Sequence, residues 1–311
     1  MIGIKYQHSG AGAPRRNNTM LYCSIASGSK GNCHFILGKH TAILVDAGTT
    51  AKNIAQRLAE IGVDLCHITA ILLTHEHIDH ISALEVLLKR TDACIYCNQA
   101  TMEAVLRRFP KADRSRFTLF CTGGSFYINE LSITAFATPH DAAESVGYSI
   151  SCGLCRVCIA TDIGHMTAQL LSCLEGAQLV CLESNHDEQM LAQGPYPFTL
   201  KRRIMGSRGH LSNRDCAQAL KHLADKGLCQ AVLCHLSQQN NTAQLAFDTV
   251  KEVLACAGAD IPVEVALQDS RSRLYSIVPV RVFGQCDGSE KERTASEGRM
   301  RPQKIRAVKQ F

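Results

Sequence analysis

Ile68-Thr69-Ala70-Ile71-Leu72-Leu73-Thr74-His75-Glu76-His77-Ile78-Asp79-His80 is the stretch on which the reading of this chain turns. An apolar run with strand character is followed at once by four residues of metal-ligand type, His75, His77, Asp79 and His80. Imidazole and carboxylate together suit zinc, manganese or iron. In an extended segment residues two apart point the same way, so His75 and His77 can grip one ion. Asp79 and His80, at the turn into a helix expected over 81–90, can aim at a second. A polar surface turn that happens to be His-rich is the alternative. Four ligand-type residues crowded directly after an apolar strand argue against it and for a site with two divalent metal ions.

The chain has 311 residues, 46% hydrophobic and 20% charged, as in an ordinary globular protein. No apolar run approaches the ~20 residues that cross a bilayer, and the N-terminus has no apolar signal-type core, so a cytoplasmic protein without membrane contact is expected. Sixteen cysteines would suit a disulfide scaffold, but in so long a chain they fall mostly within apolar runs, as at Cys23, Cys66, Cys158, Cys181 and Cys234. That pattern fits buried, reduced thiols. The net charge of +5 is uneven: residues 1–19 carry +3 and residues 281–311 carry +4, which leaves −2 on the body. A globally basic nucleic-acid binder is therefore not indicated. Two local clusters remain, Arg107, Arg108, Lys111, Arg114 and Arg116, and Lys201, Arg202, Arg203, Arg208 and Arg214; a solvated charged face is the commoner explanation of either.

Residues 1–19 read as a disordered extension, 20–280 as the catalytic domain and 281–311 as a basic, disordered tail. Strands are expected over 21–26, 34–37, 41–45, 68–73, 93–96, 117–120, 125–128, 131–137, 147–151, 157–161, 179–183, 230–234 and, as the last, 263–266. Helices are expected over 50–61, 81–90, 99–108, 166–173, 197–205, 212–225 and 242–257, with a polar loop after Glu183. Strands come in runs in both halves and helices follow each run. This predicts an α/β protein with two packed sheets covered by helices on their outer faces, a four-layer αββα sandwich. Ligand-type residues recur at strand ends, which would gather them along one edge.

A dinuclear site needs further ligands, and three segments offer them in matching context. His140 lies just past the strand in Phe136-Ala137-Thr138-Pro139-His140, Asp162 ends Cys158-Ile159-Ala160-Thr161-Asp162, and His235 ends Val232-Leu233-Cys234-His235. A lone strand-end histidine is usually structural; the three together with the opening motif are not readily explained so.

The order HxHxDH, then His, Asp and His resembles the metallo-β-lactamase superfamily over about residues 20–270. The resemblance implies that His75, His77 and His140 bind one metal, that Asp79, His80 and His235 bind the second, and that Asp162 bridges them. Aspartate at 162 resembles the phosphodiesterase and nuclease branches, where lactamases proper usually have cysteine. Ser27-Gly28-Ser29-Lys30-Gly31-Asn32, Glu183-Ser184-Asn185-His186-Asp187, Gly209-His210-Leu211-Ser212-Asn213 and His235-Leu236-Ser237-Gln238-Gln239-Asn240-Asn241 are similar to blocks of the bacterial YycJ/WalJ family, which has been linked to DNA exonuclease activity.

The expected chemistry is attack on phosphorus by a hydroxide bridging two cations ~3.5–4 Å apart, with Asp79 orienting the nucleophile. His210 is the favoured proton donor to the leaving group, since Ser212 or Asn213 would cap a following helix and leave amides exposed for a phosphate. His186 is read as structural and His165 as supporting. Ser237, Asn241 and Lys30 are candidate phosphate contacts, set against local capping for Ser237 and plain solvation for Lys30. The CxxC spacings at Cys94–Cys97 and Cys152–Cys155 are not promoted to metal sites; Gly153-Leu154 reads as a hairpin turn between the second pair. DNA, attacked from an end, is the expected substrate. A small-molecule phosphodiesterase, a thiolester hydrolase and a non-catalytic binding protein on the same fold are the alternatives, and a homo-oligomer is left open.

Overall fold

The computed structural model describes residues 19–279. The extension expected before Thr19 and the tail expected over 281–311 lie outside the described residues. In chain order the elements are β1 (Met20–Ala26), β2 (Cys33–Leu37), β3 (Ala42–Val45), α1 (Ala51–Ala59), β4 (Ile68–Leu72), α2 (Ile78–Ile81), α3 (Leu84–Arg90), β5 (Cys94–Cys97), α4 (Gln99–Arg108), β6 (Phe117–Leu119), β7 (Ser125–Ile128), β8 (Leu131–Ala137), β9 (Val146–Cys152), β10 (Cys155–Ala160), α5 (Ala168–Leu174), β11 (Leu179–Glu183), α6 (Glu188–Gln193), α7 (Phe198–Ile204), α8 (Asn213–Ala224), β12 (Gln230–Cys234), α9 (Ala243–Cys256), β13 (Val263–Val265) and β14 (Tyr275–Ile277).

Two seven-stranded mixed sheets result, ordered β14-β1-β2-β3-β4-β5-β6 and β13-β12-β11-β10-β9-β8-β7. Strand alternation decides what each face meets. Inward residues such as Tyr22, Ile43 and Leu72 of the first sheet pack with Ile133, Tyr148, Ile159 and Val232 of the second. The opposite face of the first sheet, with Cys23, Phe35 and Leu44, is covered by Ile54 and Leu58 of α1, Leu87 of α3 and Val105 of α4. The opposite face of the second, with Cys158, Val180 and Leu233, is covered by Leu170, Leu220 and Leu254 of α5, α8 and α9. Three apolar layers between four layers of structure make the αββα sandwich that the strand runs predict.

Pairing sets where the chemistry goes. β3, β4, β5 and β6 run parallel, and so do β10, β11, β12 and β13. β8 is two antiparallel steps from β10 and therefore shares its direction. The C-terminal ends of β3, β4, β8, β10, β11 and β12 thus lie along one edge, the edge where open α/β sheets place ligands.

Four expectations are corrected. The helix expected over 81–90 is two, α2 and α3, because Ala47 N donates to His80 O at 2.7 Å and Ala83 N to Ala47 O at 2.8 Å, which takes backbone groups a continuous helix would need. The polar loop after Glu183 contains α6, capped by Asp187, whose side chain accepts from Met190 N. Val263–Val265 is not the last strand: Tyr275–Ile277 pairs antiparallel with β1. Cys66 sits in a 3-10 turn and is exposed, unlike the buried Cys23, Cys158, Cys181 and Cys234.

Candidate metal centre

Several strand ends deliver polar groups to the common edge. β4 leads into His75 and His77, and α2 carries Asp79 and His80. β8 leads to His140, β10 to Asp162, β11 ends in Glu183, and β12 is followed by His235. Three of the turns that place them are unusual. Asp46, Asp162 and His235 adopt left-handed backbone, at φ 62°, 58° and 55°. For a residue with a Cβ that conformation costs of order 1–3 kcal/mol, and it persists where the surroundings hold it.

The side chains converge in four overlapping groups, one of which is Asp162, Glu183, His210 and His235. One ligand atom each from His75, His77 and His140 lie within 4.8 Å of one another, and the same is true of Asp79, His80 and His235. A third set, His75, His80 and Asp162, joins them. Asp162 Oδ1 is 3.5 Å from His140 Nε2 and 3.7 Å from His235 Nε2, while Oδ2 is 3.2 Å from His80 Nε2, too poorly aligned for a hydrogen bond. All seven residues singled out as ligands are therefore brought together.

The outer face of four of these imidazoles is held by a carbonyl, hydroxyl or carboxylate, while His77 Nδ1 lies 3.3 Å from His140 Nε2. His80 Nδ1 donates to Asp46 Oδ2 at 2.8 Å, and Asp46 itself accepts from Thr74 N. His140 Nδ1 donates to Gly209 O at 3.0 Å, and Thr74 Oγ1 lies 3.0 Å from His75 Nδ1. His235 Nδ1 and His210 Nδ1 both donate to Glu183 Oε1 at 2.8 Å. Fixing one ring nitrogen this way aims the other into the site, as around bound metal ions. The buried His75 Nε2 has no hydrogen-bond partner. That orphaned donor atom, the paired nitrogens and the carboxylates fit a divalent cation, and this donor set suits zinc, manganese or iron alike.

Electrostatics point the same way. Burial pushes the His75 imidazole well below its ordinary range, reinforced by the neighbouring His80 charge, so His75 is neutral and offers a lone pair. Burial acts downward on His80 too, but Asp46, Asp162 and Asp79 outweigh it and raise that group well above its usual value. His235 is likewise raised, with Asp162 prevailing over burial. Burial raises the Glu183 carboxyl, yet the His210 and His235 charges and hydrogen bonds bring it down to about 2. The pocket favours positive charge.

Glu183 and Asp46 are the functional residues that sequence reasoning passed over. Both are acids that close an apolar strand, which is the signal they offer. Glu183 is fully buried and accepts from four groups: the two histidines, Ile163 N next to Asp162, and Leu211 N next to His210. Asn32, at the end of the loop after β1, bonds His80 Nε2 and Asp79.

The remaining expectations divide. His210 borders a cleft of about 140 Å³ that Ser237, Tyr196 and Arg203 also line. The amides expected to be exposed beyond it are not: Asn213 N donates to His186 O, and Asp215 N to Ser212 Oγ, the helix cap. Ser237 Oγ accepts from Asn240 N and so caps its loop, while its residue also faces the cleft. Asn241 is corrected from substrate contact to scaffold, because its amide is buried and spent on Asn213, Ser184 O, Asn185 O and Thr242 N. Lys30 stands on an exposed loop held through its backbone by Gln268. His186 is buried in a β-bridge with Ser212, and His165 bonds Ser207 O. Cys152 and Cys155 face each other across the β9–β10 turn, as a hairpin requires.

A family model described as "Beta-lactamase superfamily domain" matches residues 41–236. Exodeoxyribonuclease YycJ of Bacillus anthracis is 30% identical over 80% of this chain and 95% of its own length. Exodeoxyribonuclease WalJ of Streptococcus pneumoniae serotype 2 is 33% identical over 80% of this chain and 93% of its own. The solved structure of the metallo-β-lactamase fold protein YhfI from Bacillus subtilis superimposes with a TM-score of 0.65 at 17% identity, covering 83% of this chain and 99% of that one. The chain belongs to the β-lactamase superfamily, and within it to the family of YycJ and WalJ. It is a metal-dependent hydrolase whose fold implies divalent cations. Among the described residues no helix is long and apolar enough to cross a membrane.

Proposed function

We propose that the catalytic domain, residues 20–280, is a dinuclear phosphodiesterase that degrades DNA from an end. The carrying observation is the joining of two three-residue ligand groups by Asp162. In this reading His75, His77 and His140 hold one cation, Asp79, His80 and His235 the other, and Asp162 both. When bound, such a pair supplies a hydroxide nucleophile at neutral pH and neutralises charge on the phosphoryl group. The chain's own groups do the rest. Asp79, at 20% exposed against 2% for Asp162 the more open of the two proposed ligand carboxylates, has an oxygen available to orient the attacking water. Its carboxyl is held well below the ordinary range because His80 and His235 overcome the effect of burial, so it stays an acceptor.

His210 delivers the proton to the leaving oxygen. Its Nδ1 is bound to Glu183, which leaves Nε2 as the proton-bearing atom toward the cleft, and Glu183 and Asp162 raise the imidazole against the effect of burial. Ser237 and Lys30 are the phosphate contacts of this reading. DNA as substrate rests on the names of the YycJ and WalJ relatives together with an aspartate, not a cysteine, at 162.

The test offers purified chain, with Mn²⁺ or Zn²⁺, end-labelled duplex DNA, single strands, RNA and bis-p-nitrophenyl phosphate. Progressive shortening of DNA that is abolished by Asp162→Ala is expected. Turnover of the small ester alone would transfer the site to a small-molecule phosphodiesterase, and inertness on all four with metal bound would end the hydrolytic reading of phosphate.

A further inference from the structure

The sequence holds two basic clusters, and the fold separates them. Arg107, Arg108, Lys111, Arg114 and Arg116 lie between α4 and the N-terminal end of β6, which is the opposite edge of the first sheet from the site. Arg116 there is spent on the carbonyls of Leu88, Thr91 and Ala93. The second cluster is built over the site. Arg203, on α7, pairs with Asp141 at 2.5 Å, and Arg208 donates to His140 O at 3.0 Å, so the segment is tied to a proposed ligand and its neighbour. Leu200, Arg203 and Ile204 form one wall of the cleft beside His210.

The outer face of α7 is unlike the rest of the body. Residues 195–211 contain four Lys/Arg and no acid, within a body whose net charge is −2. Phe198 is 72% exposed, and the Arg202 guanidinium stands 5.9 Å from its ring centre. Lys201 is occupied by Ala192 O, which leaves Arg202 as the cation presented with the ring. An exposed aromatic paired with arginine, in a positive stretch at the lip of a hydrolytic cleft, is the composition that holds single-stranded nucleic acid: every base offers a π-face, and the guanidinium meets the backbone. The cleft of about 140 Å³ falls below the ~300 Å³ of ordinary ligand pockets, so most of a bound strand would lie outside it, against α7.

We infer that Phe198 and Arg202 form the platform on which an unpaired strand end lies while its terminal phosphodiester enters the site. Phe198 stacks on a base and Arg202 contacts phosphate; both are positioning residues. The inference rests on the nuclease reading above.

Full-length protein with Mn²⁺ is assayed on end-labelled single-stranded oligonucleotides and on bis-p-nitrophenyl phosphate, for wild type, Phe198→Ala, Phe198→Tyr, Arg202→Ala and Arg107→Ala. Loss of one stacked base predicts a rise of about tenfold in oligonucleotide KM for Phe198→Ala with kcat retained, and recovery in Phe198→Tyr. Arg202→Ala should lower the slope of log KM against log salt by about 0.7, one single-strand phosphate contact. Arg107→Ala should match wild type. Oligonucleotide KM and salt slope unchanged in Phe198→Ala and Arg202→Ala, with wild type active on DNA, would overturn the platform and leave the nuclease reading standing. A wild type that turns over only the small ester would remove both.

Discussion

Glu183 shows how much of the site depends on groups that never face the substrate. One buried carboxylate orients two imidazoles and pins the backbone beside Asp162 and beside His210. Glu183→Gln replaces an acceptor by a group that must also donate, against four donors. Partners of metal-binding histidines typically contribute 10–100-fold to affinity or activity. We expect cation affinity to fall in that range, read by chelator competition; affinity equal to wild type would show that Glu183 orients nothing. The seven proposed ligands were legible because each follows an apolar strand in a recognisable order. Glu183 and Asp46 follow apolar strands too, but sequence does not say which histidine a strand-end acid will meet. Nor does it announce left-handed backbone at Asp46, Asp162 and His235, since none of them is glycine. Asn241 misled for a related reason: an amide near a ligand reads as a substrate contact until the segment after β11 and the start of α8 that it ties together are in place.

At the scale of elements, the break between α2 and α3 decides where Asp79 and His80 point. The turn after β3 takes the backbone groups of His80 and Ala83, and Gly48 lies so close to α2 that a Cβ there would sit 1.5 Å from Asp79 O. A carbonyl oxygen of the backbone cannot yield as a flexible side chain does, so Gly48→Ala must displace α2. The expected outcome is loss of the cation proposed for Asp79, His80 and His235, with circular dichroism still reporting the sandwich. Two ions per chain in that variant would contradict the role given to this contact. Most elements were legible from periodicity; α4, β7, β8, β11 and β12 fall on their expected ranges. The errors share a cause. α6 and β14 are six and three residues long, too short for a period to register, and the α2–α3 break is imposed by β3 from a distance.

Over the whole molecule, the two sheets meet through an apolar layer and also through a polar clasp far from the site. Glu130, in the turn between β7 and β8, accepts from His40 N, Thr41 N and Thr41 Oγ1 in the turn between β2 and β3. Burial raises its carboxyl, but these hydrogen bonds prevail and lower it from 4.5 to about 2. A carboxyl depressed in the folded state stabilises fully above its unfolded value, and the contribution is lost as pH falls through the folded one. The stability difference between wild type and Glu130→Gln should therefore be greatest near neutrality and shrink from about pH 4.5 down to about pH 2, as followed by urea unfolding. A difference independent of pH across that window would rule out the clasp. The αββα layering was legible at this scale, since it depends only on runs of strands and helices; the clasp was not, because turns give no register to one another.

Two cations joined by Asp162 at one sandwich edge are what the proposed function requires. Native mass spectrometry of the full chain loaded with Mn²⁺ or Zn²⁺ counts them directly. Two ions per wild-type chain are expected, and fewer than two in Asp162→Ala while the apo mass and charge envelope stay those of a folded protein. A wild-type chain that binds one ion and still shortens DNA, or an Asp162→Ala chain that retains both, would contradict this arrangement.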